Sequence, residues 1–132
     1  MGHFLSELDI SPQDDGVHWT VKSAFDYDVG EVGSGDTIEV PVGFVTDLGS
    51  VPQILWNLIP PIGKPLRGYV LHDWLYFQQA RSRAKSDGIL LEAMGVAGVN
   101  WFKRWTIYLG VRSGGWIAWS QNKKKKESEK HV

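Results

Sequence analysis

The 132-residue chain contains no cysteine. Disulfide frameworks, thiolate zinc sites and cysteine nucleophiles are excluded, and packing alone must hold the core. No stretch approaches the ~18 consecutive apolar residues that a membrane-spanning helix needs. Basic residues are almost missing from the first fifty positions, which hold ten acids and a single base, Lys22. The P-loop, dinucleotide fingerprint, HExxH and GxSxG patterns are absent, as is any internal repeat. The opening segment MGHFLSELDISPQDDG has neither a basic region nor an apolar run. A secretory signal is therefore not expected, and the product is expected in the cytoplasm.

What is present fits one soluble domain. Hydrophobic residues make up 42% and charged residues 22%, which excludes wholesale disorder and a coiled coil. The net charge of -1 conceals a polarity: the acidic first fifty residues are balanced by basic segments further on. Such a polarity serves either a self-complementary fold or assembly with an anionic partner. Nothing in it calls for sequence-specific nucleic-acid binding. Seven tryptophans are the unusual feature of the composition. Trp19, Trp56 and Trp74 fall on apolar faces and are expected in the core. Trp101, Trp105, Trp116 and Trp119 fit either core packing or an exposed binding or membrane-surface patch.

Periodicity divides the chain in two. Val17, Trp19 and Val21 alternate with polar residues, as do Phe25, Tyr27 and Val29, and then Ile38, Val40, Val42 and Phe44. Period-two alternation predicts strands with one buried face. The GEVGSGD run is a loop, and Pro41 restricts the third strand to an edge or a bulge. Ser50 and Gln53 form a capping-box pattern for a short helix through Trp56 and Leu58 that stops at Pro60-Pro61. Helices are predicted over 65–80, over about 84–97, and from about Asn100 to Val111. Gly114-Gly115 interrupts the last, which resumes from Trp116 to Trp119. The fold class is therefore α+β: a small N-terminal antiparallel sheet followed by three to four packed helices. Residues 1–122 form a single domain, with strands over about 17–45 and helices over about 50–119. Residues 123–132 form a flexible lysine-rich tail.

The polar residues with chemical potential lie in three segments: Thr46-Asp47-Leu48-Gly49-Ser50, His72-Asp73-Trp74-Leu75-Tyr76, and Arg81-Ser82-Arg83 with Asp87. His72 and Tyr76, four apart, share a helix face. Asp87, on the next helix, is a natural antiparallel partner for His72. A His72–Asp87 dyad leaves the second imidazole nitrogen free to take a proton from water or a hydroxyl. Tyr76 supports the dyad. Asp73 and Asp47 are candidate ligands for a divalent cation, calcium or zinc. Ser50 and Arg83 are candidates for substrate or anion contact. The bland alternative is a set of helix caps and inter-helix hydrogen bonds.

The ordered motifs VPVGFVTDLGSVPQILW, LHDWLY, RSRAKSDGILLEAM and YLGVRSGGWIAW resemble the phage-associated family called domain of unknown function 1353. The resemblance spans about Val40 to Trp119. It implies a bacteriophage or prophage origin and no established reaction. HDWLY followed by a helical aspartate is also similar to the HDxxY…D motif of secreted phospholipase A2. That similarity implies His72 as the base, Asp73 as a calcium ligand, and Tyr76 and Asp87 as supports of the histidine. The glycine-rich calcium loop of those enzymes has no counterpart here. The HD phosphohydrolases require further helical histidines, whereas His3, His18 and His131 lie at the termini or on a strand.

Three functions follow. The first is a small metal-assisted hydrolase of lipid ester, cell-wall or phosphoester substrates. The second is a non-catalytic virion or tail-assembly component. The third is a host-interacting accessory protein. The expected partners are virion or host cell-envelope components, and the expected location is the bacterial cytoplasm or the virion.

Overall fold

The structure is a computed structural model that describes residues 2–30, 34–57, 59–60 and 63–130. Among the described residues, six short strands precede four α-helices. They are β1 (His3–Phe4), β2 (Ile10–Pro12), β3 (Trp19–Val21), β4 (Phe25–Asp28), β5 (Thr37–Val40) and β6 (Val45–Thr46). After a 3₁₀ turn over Gln53–Asn57 come α1 (Leu66–Gln78), α2 (Arg83–Val96), α3 (Trp101–Gly114) and α4 (Trp116–Lys130). The fold is α+β. In place of one sheet there are two antiparallel three-stranded sheets, ordered β1-β4-β5 and β2-β3-β6. β1 and β2 are too short for alternation to reveal them.

Local chemistry sets the element ends. Val17 is exposed rather than on a strand face. The Asp15 carboxylate accepts the N–H groups of Val17 and His18, each at 2.9 Å, so the chain turns there and β3 begins at Trp19. β5 is an edge strand and ends at Val40, one residue before Pro41, which has no N–H to extend the ladder. Ser82 caps α2 by accepting the N–H of Lys85, and Asn100 caps α3 by accepting that of Lys103. The 3₁₀ turn is not capped by Ser50, whose hydroxyl is taken by Asp73 and His72 instead. Leu58 and Pro61, expected in and at the end of that turn, lie outside the described residues, as does the Glu31–Gly33 part of the GEVGSGD loop.

The core lies between the β1-β4-β5 sheet and α1, α2 and α3. Phe25, Tyr27, Ile38 and Val40 face Tyr69, Leu71, Leu90 and Met94 within one buried cluster. This core is built on tyrosine and phenylalanine, contrary to the expectation of a tryptophan core. Tyr27, Tyr69, Tyr76 and Phe25 are its largest fully buried side chains. Each of these tyrosine hydroxyls has an acceptor: the half-buried Glu92 at 2.5 Å, the Ile59 carbonyl at 3.3 Å and the buried Asp87 at 2.6 Å. Trp19, Trp56 and Trp74 are only partly buried, packed against the core's edge.

The acidic N-terminal layer and the basic helices meet at Arg81, whose guanidinium binds both oxygens of Asp36, at 2.5 and 3.1 Å. The lysine run, expected as a flexible tail, is continuous with α4, which extends to Lys130. Lysine and glutamate are good helix formers, and α4 enters the run already nucleated.

Candidate active site

The turn between β6 and the 3₁₀ segment is tightly specified. Leu48 adopts φ 62°, a left-handed conformation costly for a leucine, and its side chain is buried in the core. Three successive N–H groups meet side-chain oxygens: Leu48 donates to Thr46 Oγ1, Gly49 to Asp47 Oδ1 and Ser50 to Asp73 Oδ1. A Cβ at Gly49 would lie 2.7 Å from Asp47 Oδ1, so a larger residue there would push the Asp47 carboxylate out of its bond to the Gly49 N–H. The turn therefore presents Ser50 in a fixed direction, toward α1.

α1 answers with His72 and Asp73. Ser50 Oγ lies 2.9 Å from His72 Nδ1 and also contacts Asp73 Oδ1. On the far side of the ring, His72 Nε2 lies 2.7 Å from Asp87 Oδ1 on α2. Tyr76 donates its hydroxyl to the same Asp87 oxygen. Asp87 Oδ2 accepts from Arg112 on α3 at 2.9 Å and faces Arg83 at 3.5 Å. The single hydroxyl hydrogen of Ser50 goes to Asp73 Oδ1, and the direction of the Ser50–His72 contact follows the imidazole tautomer. The result is a continuous line Ser50–His72–Asp87, anchored behind by a tyrosine and two arginines.

The two carboxylates are held in opposite senses. Burial pushes Asp73 upward, more than the hydrogen bonds from Ser50 and Thr46 pull it down. Burial also acts on Asp87, but the bonds from His72, Tyr76 and Arg112 outweigh it and hold the group below its usual value. Asp73 is thus the proton-rich end of the network and Asp87 its anionic end.

Ser50 and Asp73 open onto a cleft of about 620 Å³. Phe44, Trp74 and Phe77 form one wall, with ring centroids 5.1 to 5.6 Å apart. Ala118, Asn122 and Lys125 of α4 form the opposite rim. His72 and Asp87 lie behind Ser50, fully buried. A second cleft, about 490 Å³, lies on the other side of Asp47 and Gly49, between Trp19 and Trp56.

Of the remaining sequence candidates, Asp73 and Arg83 flank this line and Asp47 sits apart from it. Asp47 is exposed and engaged with Gly49, while Asp73 is surrounded by donors from Ser50 and Thr46. Among the described residues no three His, Asp or Glu side chains are placed to hold a metal ion. Arg83 turns inward. Its guanidinium donates to the carbonyls of Val111 and Arg112 at the end of α3, at 2.9 and 3.2 Å. It acts there as a C-terminal cap. Sequence reasoning placed Thr46 in the polar set without a partner, and missed Arg112 as a partner of Asp87 and the aromatic wall. The spacing of Trp74 and Phe77 on one helix could have revealed part of that wall.

No curated protein and no solved structure matches this chain. A family match covers residues 19–111. It therefore takes in β3 to β6 and both catalytic-candidate helices, and it ends at Val111, beside the Arg83 cap. With more than half its length matched, the chain belongs to the family described as protein of unknown function (DUF1353).

Proposed function

We propose that this protein is a small serine-type hydrolase acting on an ester with an apolar or aromatic portion. The observation that carries this reading is that the line Ser50–His72–Asp87 ends at the floor of an aromatic cleft, with Ser50 as its cleft-facing member. Water in the cleft meets Ser50 before it meets His72, so the serine rather than a water is the first nucleophile. In the reacting state the Ser50 hydroxyl turns from Asp73 to His72 Nδ1, 2.9 Å away, and Ser50 Oγ attacks the ester carbonyl while its proton passes to that nitrogen. Asp87 keeps the ring oriented and stabilises the imidazolium. His72 then gives that proton to the departing alkoxide, and water, activated by the same nitrogen, releases the acid from Ser50. Asp73, biased toward its protonated form, is the nearest acid to the developing charge. No step needs a metal. A phage or prophage setting, as the family resemblance implies, would make esters of the host envelope natural substrates.

The test is hydrolysis of aryl esters of increasing acyl length by wild type, Ser50→Ala and His72→Ala. Activity in the wild type that both variants lose supports the reading. Equal hydrolysis by all three sinks it.

A second reading rests on a different observation: His72 and Asp87 are fully buried and joined by hydrogen bonds. The network then serves as a polar staple between α1, α2 and α3 in a non-catalytic assembly component. Under that reading the same variants lose stability and no esterase activity exists to lose.

A further inference from the structure

α3 and α4 carry large apolar side chains that do not enter the core. Trp101 is 65% exposed, Phe102 68%, Leu109 60%, Trp116 57% and Ile117 50%. Trp105 is also exposed, and Trp101, Trp105 and Leu109, four apart, form one stripe along a helix about 21 Å long. The inward face of α3 is used by Ile107 and Val111, so this stripe is a second, outward apolar face. Contiguous apolar surface of this size on a soluble chain marks a docking site.

Charge indicates what docks. The charge beside this stripe is basic: Lys103 on α3 and Lys123 and Lys124 on α4 are exposed, whereas Arg112 is paired with Asp87, Arg104 bonds the Val99 carbonyl, and Lys125 and Lys126 lie toward the cleft and Phe77. Lys123 and Lys124 follow Trp116 and Ile117 by seven positions, so they continue the same side of α4. A second copy of this chain would bring two such cationic faces together, which is repulsive. An anionic lipid surface neutralises them. Tryptophan and lysine together are also the side chains that settle at the boundary between headgroups and acyl chains. No helix among the described residues is long and apolar enough to cross a membrane.

We infer that the outer face of α3 and the start of α4 is a docking surface for an anionic lipid bilayer, on which α3 lies in the plane of the interface. The cleft lies elsewhere on α4, lined by Ala118, Asn122 and Lys125. The inference stands whether or not Ser50 is a nucleophile.

The full chain is mixed with phosphatidylcholine vesicles, with or without about 30% phosphatidylglycerol, and followed by co-sedimentation and tryptophan emission. The expected result is salt-sensitive partition into the anionic vesicles with a blue-shifted emission. Two double variants, Trp101→Ser with Trp105→Ser and Lys123→Glu with Lys124→Glu, are each expected to partition at least about tenfold more weakly with unchanged circular dichroism. The inference is overturned if wild type fails to bind anionic vesicles at low salt, or if neither variant weakens binding. It is equally overturned if sedimentation equilibrium shows a dimer that Leu109→Glu dissolves and that leaves the vesicles unbound.

Discussion

His72 of α1 and Asp87 of α2 are joined at 2.7 Å, with both side chains wholly screened from solvent. Their bond crosses between helices fifteen residues apart in sequence. Truncating Asp87 to alanine leaves a buried imidazole and a buried phenol without their acceptor and two arginines without a counter-charge. Asp87→Ala is expected to cost about 3–5 kcal/mol, the range for breaking a buried pair. Arg112→Ala is expected to cost less, about 1–2 kcal/mol, because Arg83 stays near the carboxylate. Urea unfolding of the two variants gives the order directly.

Ser50 is 5% exposed and lines the cleft, whereas His72 and Asp87 do not reach it. A fluorophosphonate offered to the native protein is expected to add covalently at Ser50, shown by mass spectrometry of its peptide. Ser50→Ala is expected to abolish the adduct and lower ester turnover by at least about 10³-fold, with little change in Tm. An adduct at another serine, or none, contradicts the nucleophile assignment.

The opposite bias of the two carboxylates gives stability two pH dependences of opposite sign. Asp87 is held below its usual value, so its contribution is present above about pH 4 and is lost as pH falls through the depressed value. Asp36, lowered by Arg81, adds to the same acid-side loss. Asp73 is raised, so its favourable protonated form is present at low pH and is lost as pH rises through the elevated value. Tm measured from pH 3 to 9 is therefore expected to fall toward acid as Asp87 and Asp36 protonate, and to fall as pH rises from about 4 through the raised Asp73 value. Asp73→Asn, which cannot ionise, is expected to remove the second fall and keep the acid-side one.

Two glycines in helical surroundings are expected to respond oppositely to alanine. At Gly115 a Cβ would come within 2.5 Å of Tyr76 Oη, the hydroxyl that bonds Asp87. Gly115→Ala is expected to destabilise by about 1–3 kcal/mol through overpacking. At Gly88, inside α2, nothing lies within 4 Å of the new atom. Gly88→Ala is expected to stabilise by about 0.5–1 kcal/mol. Thermal unfolding of the pair checks both signs.

Much of the helical half was legible because its signals are local. Asn100 as the start of α3 and the break at Gly114-Gly115 follow from capping and glycine chemistry within a few residues. The facing of His72 and Asp87 was legible too, since helices joined by a short loop run antiparallel. Ser50 was misread as a helix cap because its true partner, Asp73, is twenty-three residues away. The tryptophans misled for a related reason. An apolar stripe predicts an interface but cannot distinguish the protein's own core from an outside partner, and α3 has one stripe of each kind. Arg112 reaches Asp87 only through the crossing of α2 and α3, which no pattern within either helix encodes.

Arg112 sits where the two halves of this molecule's surface meet. It belongs to the helix whose outer side carries Trp101, Trp105 and Leu109, yet its guanidinium ends on the buried carboxylate that holds His72. A load on α3 that moves Arg112 beyond hydrogen-bond reach, ~3 Å, strips Asp87 of its closest counter-charge and leaves it to Arg83. Traffic at the outer face of one helix is thus wired, through a single side chain, to the carboxylate that orients a histidine in the interior.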